Sequence, residues 1–211
     1  MPRITALESI KRKKGWFEIR FDNNLSFNVN DELVLKCLLK VGRNLTKNEI
    51  EKLRNEADYL FLKKKALDIL SRRRISEREL RRKLRSERKF SYHTDKVVGG
   101  LKNIGLIDDL TFASSAINSF LISGPKSRMY IRQKLYQKGI PKEIAEKAIE
   151  SELADYDESQ AALGLARKKF ETVKPLSTLK AKKRIADFLR GRGFSWDIVN
   201  YCLNSLFIEE S

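Results

Sequence analysis

Few side chains in this 211-residue chain could perform catalytic chemistry, and their types and spacing argue against it. A Cys/His zinc site needs four ligands, and one histidine, His93, with two distant cysteines, Cys37 and Cys202, falls short. A Ser-His-Asp triad would have to be built on His93. That residue lies in the polar stretch Phe90-Ser91-Tyr92-His93-Thr94-Asp95 and reads as a surface or capping group. Gly124-Pro125-Lys126-Ser127 has the lysine and serine of a phosphate-binding loop without its first glycine or its spacing. Asp108-Asp109 could suggest a metal or acid–base pair, but no third ligand is near, and a helix cap before Phe112 suits it better. The other acids are scattered or at caps, which leaves no carboxylate cluster for a metal nuclease. The chain is therefore expected not to be an enzyme and to use no cofactor or metal.

Charge speaks more clearly. Lys and Arg total 44 against 28 Asp and Glu, a formal net charge of +16. Such an excess says little about fold, but it favours a polyanionic partner: nucleic acid, an acidic protein surface or an anionic membrane. With 41% hydrophobic residues the chain can bury a core. No apolar run approaches the roughly 20 residues that span a bilayer. Met1-Pro2-Arg3-Ile4-Thr5 does not open like a secretory signal. Cys37 and Cys202 sit in apolar helical patterns and read as reduced core residues of a cytoplasmic protein.

The elements that must carry these charges follow from periodicity. Phe17, Ile19 and Phe21 alternate with Glu18 and Arg20; Asp22-Asn23-Asn24 turns the chain; Leu25, Phe27 and Val29 alternate again, which predicts a β-hairpin. A further strand fits Ile4 to Ile10. Leu33 to Leu39 fits a short helix ended near Gly42, and everything from Leu45 onward reads as helical. Thr46-Lys47-Asn48-Glu49 and Ser76-Glu77-Arg78-Glu79 are capping boxes.

Three later segments share one grammar. The first runs through Leu80, Leu84, Phe90, Val97 and Leu101; the second through Ile131, Leu135, Gly139-Ile140, Ile144 and Ile149; the third through Ile185, Leu189, Gly193-Phe194, Ile198 and Cys202. Each is preceded by one more helix. The expected fold is mainly α: three tandem three-helix repeats forming an elongated curved body, preceded by a small N-terminal β-hairpin extension. The expected boundaries are 1–60, 61–111, 112–156 and 157–211.

The basic surplus is uneven. Residues 63–89 hold 13 basic and 4 acidic side chains, and residues 167–192 hold 10 and 2, while residues 93–160 hold 9 and 10. With Leu80 and Leu84 as the buried stripe of one helix, Arg78, Arg82, Arg85 and Lys89 form a cationic ridge on its other face, about 16 Å long at 1.5 Å per residue. Like charges at i, i+4 disfavour a helix by a few tenths of a kcal/mol each, so the pattern suits an anionic partner, and arginine forks suit phosphate and carboxylate. Arg72, Arg73 and Arg74 end the preceding helix, where a dipole-complementing role serves equally well. Lys126, Arg128, Arg132 and Lys134 interleave with Tyr130 and Tyr136 as a candidate contact surface. Lys168, Lys169, Lys183 and Arg190 are the candidates in the third repeat. Trp16 and Trp196 could stack on bases, although a packing role or staple suits Trp196 better.

Motifs in fixed order narrow the partner. Arg74-Ile75-Ser76-Glu77-Arg78-Glu79-Leu80 with Leu84, Gly105-Leu106-Ile107-Asp108-Asp109 with Phe112-Ala113, and Gly124-Pro125 with Arg128, Ile131, Leu135 and Lys138-Gly139-Ile140 resemble the RecX family, bacterial regulators of the RecA recombinase. The resemblance covers residues 61 to 207, and the first 60 residues look like the extension of longer members. It implies a monomer that lies in the groove of a RecA filament and inhibits ATP hydrolysis and strand exchange in recombinational DNA repair. Single-stranded DNA within that filament is a further contact; no membrane and no small-molecule substrate is implied. A general DNA-binding helical-repeat protein with no recombinase partner fits the charge equally well, and only these motifs separate the two. Salt dependence discriminates them, because phosphate binding weakens steeply with salt.

Overall fold

The computed structural model describes residues 1–11 and 13–208, which form three strands and ten α-helices. They fall into two compact units, one within residues 1–73 and 80–106 and the other within residues 74–79 and 107–208.

In the first unit, β1 (Ile4–Ser9), β2 (Trp16–Phe21) and β3 (Ser26–Asn30) form an antiparallel sheet in that order. The expected hairpin pairs Ile19 with Phe27 and Phe17 with Val29, and the strand expected near Ile4 completes the sheet. Asn24 takes the left-handed conformation (φ 62°) that the tight β2–β3 turn demands and that asparagine tolerates. Helix α1 (Asp31–Lys36) is capped by Asn30 and ends before Gly42, because Leu38 turns left-handed at φ 47°. Helix α2 (Lys47–Leu70) opens on the predicted Thr46/Glu49 capping box. Its Ile50, Leu53 and Ala57 close a core with Ile4, Ile19, Phe21, Phe27, Val29 and Leu33. One helix thus runs through the boundary expected at residue 60. Helix α3 (Glu77–Arg85), a 3₁₀ turn (Arg88–His93) and α4 (Thr94–Asn103) follow.

The second unit holds two helix triplets. The first is α5 (Asp109–Ile122), α6 (Arg128–Gln137) and α7 (Lys142–Glu152); the second is α8 (Glu158–Val173), α9 (Thr178–Arg190) and α10 (Trp196–Ile208). Each buries its own core, around Ile117, Ile131, Leu135 and Ile149 in one and Ala166, Ile185, Leu189 and Cys202 in the other. Asp108 and Asp157 cap α5 and α8 in the same way, each accepting from the two backbone N–H groups two and three residues on. Asp108 is the cap expected from sequence, and the hydrogen bonds it accepts from the Thr111 hydroxyl and then from the backbone N–H groups hold its carboxyl below the usual range. The joint glycines Gly139 and Gly193 both have φ +85°, a left-handed conformation that ends α6 and α9 and turns the buried Ile140 and Phe194 into their cores.

Both cysteines are free thiols; Cys202 is buried, and its burial pushes the thiol pKa up. His93 does not act as a side-chain cap: it is half-buried, its ring 4.2 Å from that of Tyr92.

Candidate polyanion-binding surface

The physical basis of the arginine ridge is a strongly one-sided helix. Leu80 and Leu84 of α3 are completely buried, while Arg78, Arg82 and Arg85 are exposed. Three arginines over two turns on the outer face and two leucines on the inner one put the guanidiniums outward without loss of packing. The ridge is shorter than expected. Helix α3 ends at Arg85, and Lys89 lies in the 3₁₀ turn with its ammonium 5.4 Å from the Phe90 ring centre, so the helical part spans about 10 Å at 1.5 Å per residue. Arg72, Arg73 and Arg74 are exposed just after α2.

The middle triplet uses its arginines internally. The Arg128 guanidinium donates to the carbonyls of Leu153 (2.6 Å) and Tyr156 (3.3 Å), satisfying backbone acceptors at the end of α7. Arg132 grips Glu146 with both ends of its fork, at 2.6 and 2.7 Å, and the Tyr136 hydroxyl donates to the same carboxylate at 3.0 Å. The Arg132 hydrogen bond is the chief reason the Glu146 carboxyl sits below its usual range. These two arginines, read as contact residues from sequence, have carbonyl and carboxylate partners from α7 and the turn after it, which sequence spacing did not reveal. Lys126 and Lys134 flank the Tyr130 ring at 5.5 and 5.4 Å, and burial lowers the Lys126 ammonium pKa.

In the last triplet Lys168, Lys183 and Arg190 are exposed, while Lys169 packs over Phe188 at 5.6 Å. Trp196, expected to pack or staple, is 56% exposed, with the Arg190 guanidinium 5.9 Å from its ring. Together with Met129 these two side chains border a shallow groove. Trp16 is the reverse: at 4% exposure it packs edge-on against Phe61 and is not free to stack on a base.

Residues 155–203 match the family model described as RecX, third three-helix domain, and residues 108–149 match RecX, second three-helix domain. Regulatory protein RecX of Clostridioides difficile (strain 630) is 32% identical over 204 residues, covering 96% of this chain and 95% of that protein. This chain belongs to the RecX family. Regulatory protein RecX of Clostridium acetobutylicum is 28% identical over 211 residues, covering 99% of this chain and 98% of the relative. A crystal structure of regulatory protein RecX shares the fold, with a TM-score of 0.67 at 22% identity over the whole of both chains. Both RecX domain matches begin at or after residue 108, so the arginine ridge lies outside them.

So does a feature that sequence reading missed. In the first unit a cleft of about 600 Å³ is lined by Lys13 and Lys14 from the β1–β2 turn, by Lys64, Lys65, Arg72 and Arg73 from α2 and the residues after it, and by Lys83. Its floor holds Trp16, Phe61 and Ile69, and its one acid is Asp68. The signal is present in α2, where Phe61, Lys64, Lys65, Asp68 and Ile69 follow the i, i+3, i+4, i+7, i+8 spacing of a single helix face. No membrane-spanning helix and no metal-binding cluster occurs among the described residues.

Proposed function

We propose that this RecX family protein is a cytoplasmic, monomeric regulator of the RecA recombinase, one that seats in the groove of the RecA nucleoprotein filament and suppresses ATP hydrolysis and strand exchange. Three three-helix units, residues 61–111, 112–156 and 157–211, form its body. The observation that carries the reading is the one-sided α3, with Arg78, Arg82 and Arg85 exposed over fully buried Leu80 and Leu84. Exposed Arg72, Arg74, Lys168, Lys183 and Arg190 extend the basic contact set. Inhibition follows if the protein bridges neighbouring recombinase subunits and binds one filament state more tightly than the states ATP turnover must visit.

The test is a titration of the protein into single-stranded-DNA-dependent ATP hydrolysis by RecA, beside a titration against the same DNA alone. The expected result is inhibition well below one protein per recombinase, at concentrations where bare DNA is unbound. Inhibition only once the DNA is saturated would identify simple competition for the strand, the general DNA-binding reading that the basic cleft of the first unit favours.

A further inference from the structure

We infer that the cleft between the β1–β2 turn and the C-terminal half of α2 is a binding site for the phosphodiester backbone of a single nucleic-acid strand. This inference goes beyond the recombinase reading and does not depend on it, because it concerns the first unit alone.

Charge is the first ground. Seven cationic side chains and one carboxylate line the cleft. Lys65 pairs with Glu87. Lys14, Lys64 and Arg72 are exposed and have no carboxylate partner among the described residues. Cations crowded into one concavity repel each other and focus a positive potential there, and a bound anion relieves both effects.

Placement is the second ground. While Leu62 and Ala66 of α2 are buried, its cleft-lining face alternates Phe61 and Ile69 with Lys64 and Lys65, and Arg72 follows in the turn after it. From Lys64 to Leu70, the last residue of α2, is about 9 Å at 1.5 Å per residue, and Arg72 follows in the turn just beyond. The cationic row therefore faces a ligand with charges repeated along its length. The half-buried Phe61 and Ile69 beneath it offer an apolar floor to sugar and base faces.

Size and chemistry choose among polyanions. A volume of about 600 Å³ lies in the range of small-ligand pockets, room for a stretch of one strand and not for a duplex. Five of the seven cations are lysines, point charges that bind phosphate without a fixed fork geometry, and the apolar floor suits sugar and base faces.

The test uses the full chain without recombinase. Binding of a fluorescent oligothymidylate is measured across a salt series for the parent, for K14E/K64E/R72E, for the milder K14Q/K64Q/R72Q and for the ridge variant R78E/R82E/R85E, with thermal unfolding confirming that each is folded. Cleft variants are expected to bind at least ~10-fold more weakly, with a salt slope shallower by about 2, the share of three phosphate contacts to a single strand. The ridge variant serves as the reference for charge loss elsewhere. Affinity and slope unchanged in both cleft variants, or reduced no more than in the ridge variant, would overturn the site. A polyglutamate peptide displacing the strand as effectively as unlabelled oligothymidylate at equal charge would overturn the nucleic-acid assignment in favour of an acidic protein segment. Since the recombinase is absent, this result stands apart from the ATPase titration.

Discussion

The Oγ of Ser76 donates a hydrogen bond to the carbonyl oxygen of Lys138 at 2.6 Å, tying the start of α3 to the residue that caps the end of α6. The same hydroxyl accepts the N–H of Glu79 at 3.2 Å, so one buried serine both caps its own helix and holds the joint of the next triplet. The arrangement recurs one repeat later. The Ser127 N–H donates to the carbonyl of Arg192 at 3.2 Å, its Oγ caps α6, and Gly193 presses against it. The repeat grammar read along the chain is thus also a docking grammar, in which a cap serine of one triplet meets the joint glycine of the following one.

Substitution of the joint glycines should be graded by what the added Cβ meets. At Gly105 it meets nothing within 4 Å, and only the left-handed backbone (φ 72°) opposes it, about 1–2 kcal/mol. At Gly139 it comes within 3.1 Å of Ser76 Oγ and Arg78 Cβ; at Gly193 within 2.6 Å of Ser127 Oγ and 2.7 Å of Tyr130 Cβ. Overpacking adds about 1–3 kcal/mol. Denaturant titration should rank the loss Gly105→Ala, then Gly139→Ala, then Gly193→Ala; equal losses would show that the contacts relax freely.

Helix α3 should tolerate its outer face and not its inner one. Leu84→Ala is expected to destabilise the fold by about 2–5 kcal/mol, the range for a buried leucine. Arg82→Ala, on the exposed face, should stay within ~0.5 kcal/mol. Chemical denaturation of both variants checks this, and a large loss for Arg82→Ala would reverse the facial assignment.

The two tryptophans should report separately. Trp196→Phe leaves the buried Trp16, whose emission should be blue-shifted and resistant to acrylamide; Trp16→Phe leaves the exposed Trp196, red-shifted and readily quenched. Similar quenching in both variants would contradict this placement.

Acid should weaken the middle triplet through Glu146. Its carboxyl is held below the ordinary value of 4.5 by the Arg132 fork, with Tyr136 assisting. The ionised carboxylate therefore contributes stability that is complete above 4.5 and lost as pH falls through the lowered folded value. The pair is part-exposed, so the effect is at most ~1 kcal/mol. Glu146→Gln should flatten that part of the stability–pH curve below 4.5; an unchanged curve would remove the carboxylate from the account.

Element order, the Thr46–Glu49 capping box, the repeat spacing and the uneven charge were legible in the sequence because each depends on residues a few positions apart. Thr46 and Glu49 are three residues apart and close their cap in the structure as the spacing predicts. The same locality explains the errors. Helical periodicity alone carries the ridge on to Lys89, because it holds no marker for the 3₁₀ turn at Arg88.

What the tertiary structure alone decided is which cations have internal partners and which face solvent. Arg128 meets carbonyls 25 and 28 residues away, and Arg132 meets a carboxylate 14 residues away. No periodic pattern distinguishes either from exposed Arg82. The cleft draws Lys14, Lys64, Arg72 and Lys83 together from separate segments of the chain. Composition and spacing determine how many charges a helix carries and on which face. Whether a charge is neutralised or left for a partner depends on groups brought close in space by folding.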